Sequence, residues 1–176
     1  MPRIPYLTDE QVGPPELVAA IRQRRGGRLG ALDRILLYSP PLAKGWNEML
    51  GRVRSELGLP MALRELAMCA VAVLNGAEYE MHHHGPIFLA NGGTPAQLDA
   101  LRRLPTIDGA SFDATQRAAL QLALEMTRQV KVADATFAAA RAALGSDAWL
   151  FELIGVIAAY NMVSRILVAV GIEAGD

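Results

Sequence analysis

Read along its length, the chain alternates apolar stretches with short breaks of glycine, proline, asparagine and aspartate, and nearly every apolar stretch carries a helical pattern. Pro14-Pro15-Glu16 supply good first-turn residues for a helix over 15–25, which stops at Gly26-Gly27. A short helix is expected over 29–37, ending before Ser39-Pro40-Pro41, and another over 41–57, closed by Gly58-Leu59-Pro60. Residues 61–74 are apolar almost all round, which predicts a central buried helix. Asn75-Gly76 breaks the pattern, and helix resumes over 77–90 until Asn91-Gly92-Gly93, residues suited to a left-handed cap. Thr94 is the expected N-cap of a short helix reaching 103. Residues 104–111 read as a loop, followed by helices over 114–130, 133–144 and 147–172.

No stretch offers the β-branched alternation of a strand, so the expected fold class is all-α. With 176 residues, the expectation is a single domain over 1–176. There is also an internal echo. Arg64-Glu65-Leu66 leads an apolar run to Asn75, and Phe151-Glu152-Leu153 leads one to Asn161, as a duplicated helical hairpin would.

Composition narrows the function. Hydrophobic residues make up 52% and charged residues 20%, enough for a sizeable core. A net charge of −1 argues against a nucleic-acid binder, which needs a basic surface. Arginines 22, 24, 25 and 28 read as a solvated helix face rather than a phosphate site. The N-terminus lacks the pattern of a signal peptide, and the longest apolar run, Leu150 to Val170, is interrupted by Glu152, Asn161 and Arg165. A cytoplasmic protein with no membrane span is the expectation. One cysteine, Cys69, can form neither an intrachain disulfide nor a CxxC pair.

Candidate chemistry concentrates in residues 64–93, which hold all three histidines, Cys69, and two acids, Glu65 and Glu80, in apolar surroundings. Buried charge without a partner is unfavourable by several kcal/mol, so these acids need a role. Glu80 and His84 stand four residues apart on one helical face, where a carboxylate can fix the tautomer of a histidine and raise its basicity. The break at Asn75-Gly76 would fold Glu65 back toward that face, and two neighbouring carboxylates favour a retained proton. Adjacent His82, His83 and His84 diverge by about 100° each on a helix, so a metal cage from the trio is not expected, while Glu80 and His84 completed by Glu65 offer an O,N,O set with no confirming motif. Pro86 predicts a kink near 82–86. Cys69, one turn after Glu65, reads as a buried structural thiol.

The string from Arg64 to His84, R-E-L followed by an apolar run and L-N-G-A-E-Y-E-x-x-x-H, resembles the carboxymuconolactone decarboxylase family, related to the alkylhydroperoxidase D proteins. Ser39-Pro40-Pro41-Leu42-Ala43-x-Gly45-Trp46 upstream and Ala159–Arg165 downstream carry the resemblance over about residues 30–173. It implies a helical bundle with an internal repeat, assembled as a dimer, trimer or hexamer. In the peroxidase branch the glutamate is followed at +12 and +15 by two cysteines and at +19 by a histidine. Here those places hold Ala77, Glu80 and His84. The loss of both cysteines turns the resemblance from thiol chemistry toward acid–base chemistry.

By that resemblance the expected activity is cofactor-free and metal-free decarboxylation, or a related reaction, of a small carboxylated lactone or keto acid from aromatic catabolism. His84 is the expected proton shuttle, oriented by Glu80, with Glu65 setting the protonation state of the site. Tyr79, His83 and Arg165 are the candidate substrate-binding residues, Arg165 as a carboxylate anchor or, alternatively, as the partner of Glu152 or Glu65 in a salt bridge. Met81 stands where the family pattern often has tryptophan, and His82-His83 is richer than that pattern requires, so the pocket need not suit the name-giving lactone. Two rivals remain: a thiol-dependent peroxidase using Cys69, and a non-enzymatic oligomeric scaffold pinned by its buried acids.

Overall fold

The computed structural model describes residues 2–175. Among these there are nine helices and no strand, so the fold is all-α. They are α1 (Pro15–Arg24), α2 (Ala31–Leu36), α3 (Pro40–Ser55), α4 (Met61–Asn75), α5 (Glu78–Ala90), α6 (Pro95–Leu101), α7 (Ala114–Arg128), α8 (Asp134–Leu144) and α9 (Asp147–Val170). Each starts and stops within a few residues of the expected breaks. The described residues form two compact units, one running up to Leu57 and joined by the tail from Ala169, the other spanning Gly58–Val168.

In the first unit α3 packs against α1 and α2. Ile21, Leu32, Leu36, Trp46 and Leu50 are buried. The arginine cluster departs from the expected solvated face. Asp33 is buried at the start of α2, where its carboxylate accepts from the Gly30 backbone N–H at 2.9 Å. Arg25 Nε stands 3.2 Å from its Oδ2, and Arg24 Nη2 stands 3.6 Å from its Oδ1. Arg28 alone of the four is fully exposed, while Arg22 is half-buried 3.6 Å from Asp9. A buried carboxylate needs cationic partners, and that requirement draws Arg24 and Arg25 inward.

The second unit is organised around α4, of which most residues are buried, including Arg64 and Glu65. It packs against α5, α6 and α7, and α7 packs against α8. Gly76 ends α4 at φ +66°, a left-handed conformation favoured only for glycine and a few polar residues. The Ala77 N–H then closes on the Ala72 carbonyl at 2.8 Å. The chain thereby reverses in two residues, and α5 runs back along α4. α5 continues through Pro86 without a break in its helical assignment. After α5, Gly93 lies so close to the buried Phe88 ring that a Cβ there would come within 2.5 Å of it. Only glycine fits this approach.

Thr94 caps α6 and Asp113 caps α7, each through a reciprocal box with the glutamine three residues on. Gln97 Nε2 bridges the two caps, donating to the Ser111 carbonyl and to Gln116 Oε1, both at 3.1 Å. The internal echo acquires two different roles. Glu65 faces the site, whereas Glu152 accepts the backbone N–H groups of Gly58 (3.1 Å) and Leu59 (2.7 Å), fixing the entry to α4. α9 is long and apolar enough to cross a membrane by length and composition, contrary to the expectation from its interruptions. Leu153, Val156, Ile157, Tyr160 and Val163 are nonetheless buried, as in the core helix of a bundle.

Candidate active site

Three helices converge on one imidazole. α4 contributes Glu65, α5 contributes Glu80 and His84, and α9 contributes Tyr160. His84 is 5% exposed, Glu65 3% and Tyr160 1%, so these groups interact with little screening by bulk water. Glu65 Oε2 lies 2.6 Å from His84 Nδ1. A carboxylate only accepts, so Nδ1 carries a hydrogen and donates it to Glu65. The opposite nitrogen, Nε2, lies 2.9 Å from the Tyr160 hydroxyl and 3.2 Å from Glu80 Oε2. The rings of His84 and Tyr160 meet edge to face, with centroids 4.9 Å apart.

The two Nε2 neighbours differ in kind. Tyr160 is aligned for a hydrogen bond. Glu80 Oε2 is close as an ion-pair partner, yet it is buried and makes no hydrogen bond of its own. A buried carboxylate oxygen without a donor is unfavourable, and an imidazolium proton on Nε2 relieves that. Burial opposes the charged ring and is the largest single influence on it. The bond to Glu65, the close approach of Glu80 and the negative charges of both together outweigh burial and raise the His84 pKa above its ordinary value. These surroundings favour a proton on the imidazole between two carboxylates, with the Tyr160 phenol beside Nε2.

The α4–α5 reversal brings together the three residues expected to do the chemistry, with one change of role. Glu65, not Glu80, makes the short bond that orients His84. Glu80, one turn back on the same helix, approaches Nε2 at 3.2 Å, while Glu65 on the facing helix reaches Nδ1 at 2.6 Å. Tyr79 and His83 are neighbours, with ring centroids 4.2 Å apart and His83 Nδ1 2.8 Å from the Tyr79 carbonyl. Tyr79 is buried and His83 exposed. His82 is exposed and edge-on to His83 at 5.4 Å. The three histidines diverge, only His84 turning inward.

Arg165 finds its partner within its own helix. Its Nη1 donates to the Asn161 carbonyl at 2.9 Å and to Asn161 Oδ1 at 2.5 Å. It forms an ion pair with neither Glu65, which is taken by His84, nor Glu152, which is taken by the backbone. Tyr160 lies within the Ala159–Arg165 stretch that carries the family resemblance, and no role is expected for it from sequence. Its tyrosine-asparagine pair within an otherwise apolar helix was the one available signal.

Cys69 is fully buried. Burial pushes its thiol up to about 12, helped by the negative charges of Glu65 and Glu80. The thiolate that nucleophilic or redox chemistry requires is thereby suppressed.

The chain is thus an all-α bundle with a buried histidine between two glutamates. Residues 40–125 of this chain match the carboxymuconolactone decarboxylase family. Solved structures share the fold. An uncharacterized peroxidase-related protein from Ralstonia eutropha JMP134, described as an alkylhydroperoxidase AhpD core, superposes with a TM-score of 0.80 at 19% identity, covering 98% of this chain and 91% of that one. A second uncharacterized peroxidase-related protein, from Silicibacter sp. TM1040, gives 0.76 at 21% identity, covering 97% and 92%. A cysteine-to-alanine variant of the debrominase Bmp8 in complex with 2,3,4-tribromopyrrole gives 0.74 at 18% identity, covering 94% and 88%. Among curated proteins there is no significant match.

Proposed function

We propose that this chain is an acid–base enzyme acting on a small carboxylated lactone or keto acid, by decarboxylation or a closely related proton transfer. The observation that carries the reading is the arrangement of His84, with Nδ1 on Glu65 and Nε2 between Tyr160 and Glu80. When the bond from substrate carbon to its carboxylate breaks, its electron pair passes to a conjugated carbonyl and CO₂ leaves. The resulting enolate takes a proton at carbon. In this proposal His84, as imidazolium, supplies that proton from Nε2, directly or through the Tyr160 hydroxyl, and is reprotonated from water. Glu65 stabilises the imidazolium, and Glu80 keeps Nε2 protonated between turnovers. Every proton-handling group this scheme needs comes from the chain itself. Tyr79 and His83 are proposed to contact the substrate from the adjacent turn of α5.

The match of residues 40–125 to the carboxymuconolactone decarboxylase family supports the class of reaction. The structural neighbours carry peroxidase-related and debrominase names, and the buried Cys69 weighs against a thiol-dependent reaction in this chain. Assembly as a cytoplasmic homo-oligomer belongs to the same proposal. It is supported by the exposed apolar side chains Phe151 and Val168 on α9 and by the absence of any cysteine pair.

The test is turnover of a panel of carboxylated γ-lactones and β-keto acids, with CO₂ release as readout. The parent protein is expected to act on a member of the panel, and His84→Ala to abolish that activity with helical content and assembly intact. Full activity in His84→Ala would remove the histidine from the mechanism. If no panel member turns over or raises the melting temperature, the scaffold reading gains, because a native-state ligand must stabilise the fold by mass action.

A further inference from the structure

α9 presents a particular problem of register. Its buried face is almost wholly apolar, and apolar contact is non-directional, so shape alone must stop the helix from rotating or sliding. Yet Tyr160 works only if its hydroxyl sits on one nitrogen of one ring. A slip of a single residue would turn it by about 100°.

The only other buried polar residues on α9 are Asn161, the next residue, and Ser164, one turn on. The Asn161 amide is fully used. Its Nδ2 donates to Thr127 Oγ1 of α7 at 2.9 Å and to the Ile157 carbonyl at 3.0 Å. Its Oδ1 accepts from Asn75 Nδ2 of α4 at 3.1 Å and from Arg165 Nη1 at 2.5 Å. Two donors and two acceptor sites are all an amide has, so this one is satisfied in a single orientation. Asn75 Nδ2 also donates to Ser164 Oγ at 3.1 Å, and the Ser164 hydroxyl donates to the Tyr160 carbonyl. Asn75 is the last residue of α4, next to the left-handed Gly76 from which α5 sets out. One polar cluster thus ties the end of α4, the start of the α5 reversal, α7, and the backbone of Tyr160 itself.

We infer that Asn161, with Asn75 and Ser164, is the positioning device that holds Tyr160 on His84 Nε2. Arg165, an anchor for substrate in the sequence reading, takes its place here as the fourth partner of the Asn161 amide. Buried polar clusters of this kind select one arrangement among near-equivalent apolar packings, at little gain in stability. The inference deepens the proposed function and rests on it for the value of the Tyr160–His84 contact, but its test needs no substrate.

The experiment follows the ¹⁵N resonances and titration midpoint of His84 by NMR in the full chain, for Asn161→Leu, Tyr160→Phe and the double variant. Leucine keeps the branched shape and heavy-atom count of the side chain and removes the amide. Positioning predicts that Asn161→Leu moves the His84 midpoint in the same direction as Tyr160→Phe and by a similar amount. It also predicts that the double variant adds no further shift, because both changes break one contact. A purely structural role lowers the melting temperature while the His84 titration stays at its parent position, and that result overturns the inference. So does an additive shift in the double variant. If Asn161→Leu does not fold, Asn75→Ala, at a half-exposed site, decides by the same criteria. Should the parent turn over no carboxylated substrate, the reading of function fails while the NMR result still decides the positioning.

Discussion

Glu65 and His84 are nineteen residues apart and their side chains are 2.6 Å apart, carboxylate oxygen to Nδ1. The two-residue reversal at Gly76 creates that contact, and it makes Glu65 the group that sets both the tautomer and the charge of the ring.

Glu65→Gln keeps a hydrogen-bond acceptor for Nδ1 but removes the charge. The His84 pKa is then expected to fall, and turnover at neutral pH to drop about 10²-fold, within the range of a misplaced or uncharged acid–base partner. The check is the pH–rate profile of the variant. An unchanged profile would place the control of His84 elsewhere.

Tyr160→Phe preserves the ring and its edge-to-face contact while deleting the hydroxyl. Losing a hydrogen bond to a charged ring is worth about 1.5–3 kcal/mol, or roughly 10- to 100-fold in kcat. The melting temperature should move little in comparison. Steady-state kinetics with parallel thermal melts tests this, and equal kcat values would leave Tyr160 as a packing residue only.

Stability should depend on pH through His84. Its folded pKa lies above the ordinary value of 6.5. The contribution of protonation is therefore fully present below about pH 6.5 and is lost as pH rises through the raised folded value. The groups facing the ring are Glu65, Glu80, Tyr160 and, one turn from Glu65, Cys69. Thermal melts taken upward from pH 6 should show a falling melting temperature, and His84→Gln should flatten that slope. A slope equally steep in the variant would assign it to another group.

Cys69 should be chemically silent. A thiol reagent is expected to label it only on unfolding, because the native thiol is buried and its pKa is about 12. Cys69→Ala should retain turnover and lose about 1 kcal/mol of stability from the missing sulfur. Loss of activity in this variant, with the fold intact, would revive the thiol-dependent reading.

The helices were legible because their ends are local chemistry. Proline at the first turn, Thr94 and Asp113 as caps, and glycine at Gly76 act on the residues beside them, whatever the rest of the chain does. The Glu80–His84 pairing was legible for the same reason, since i,i+4 spacing is a property of one helix. Even the approach of Glu65 followed from one turn signal between two helices. The role of each carboxylate did not follow. Which oxygen takes Nδ1 and which is left near Nε2 depends on the crossing of α4 and α5 to within an ångström.

Two further features lay outside the reach of spacing. Arg24 and Arg25 read as a solvated face because nothing local announces that Asp33, eight and nine residues on, will be buried and will need them. Tyr160 is seventy-six residues from His84, and Asn161 takes its partners from α4 and α7 as well as from its own helix. By itself, then, the sequence determined an all-helical chain with two acids and a histidine on adjoining helices, because helix periodicity and turn chemistry act over a few residues. The tertiary structure alone decided that Glu65 holds the ring, that Tyr160 completes it and that Arg165 serves Asn161, because hydrogen bonds select partners by distance and angle in three dimensions.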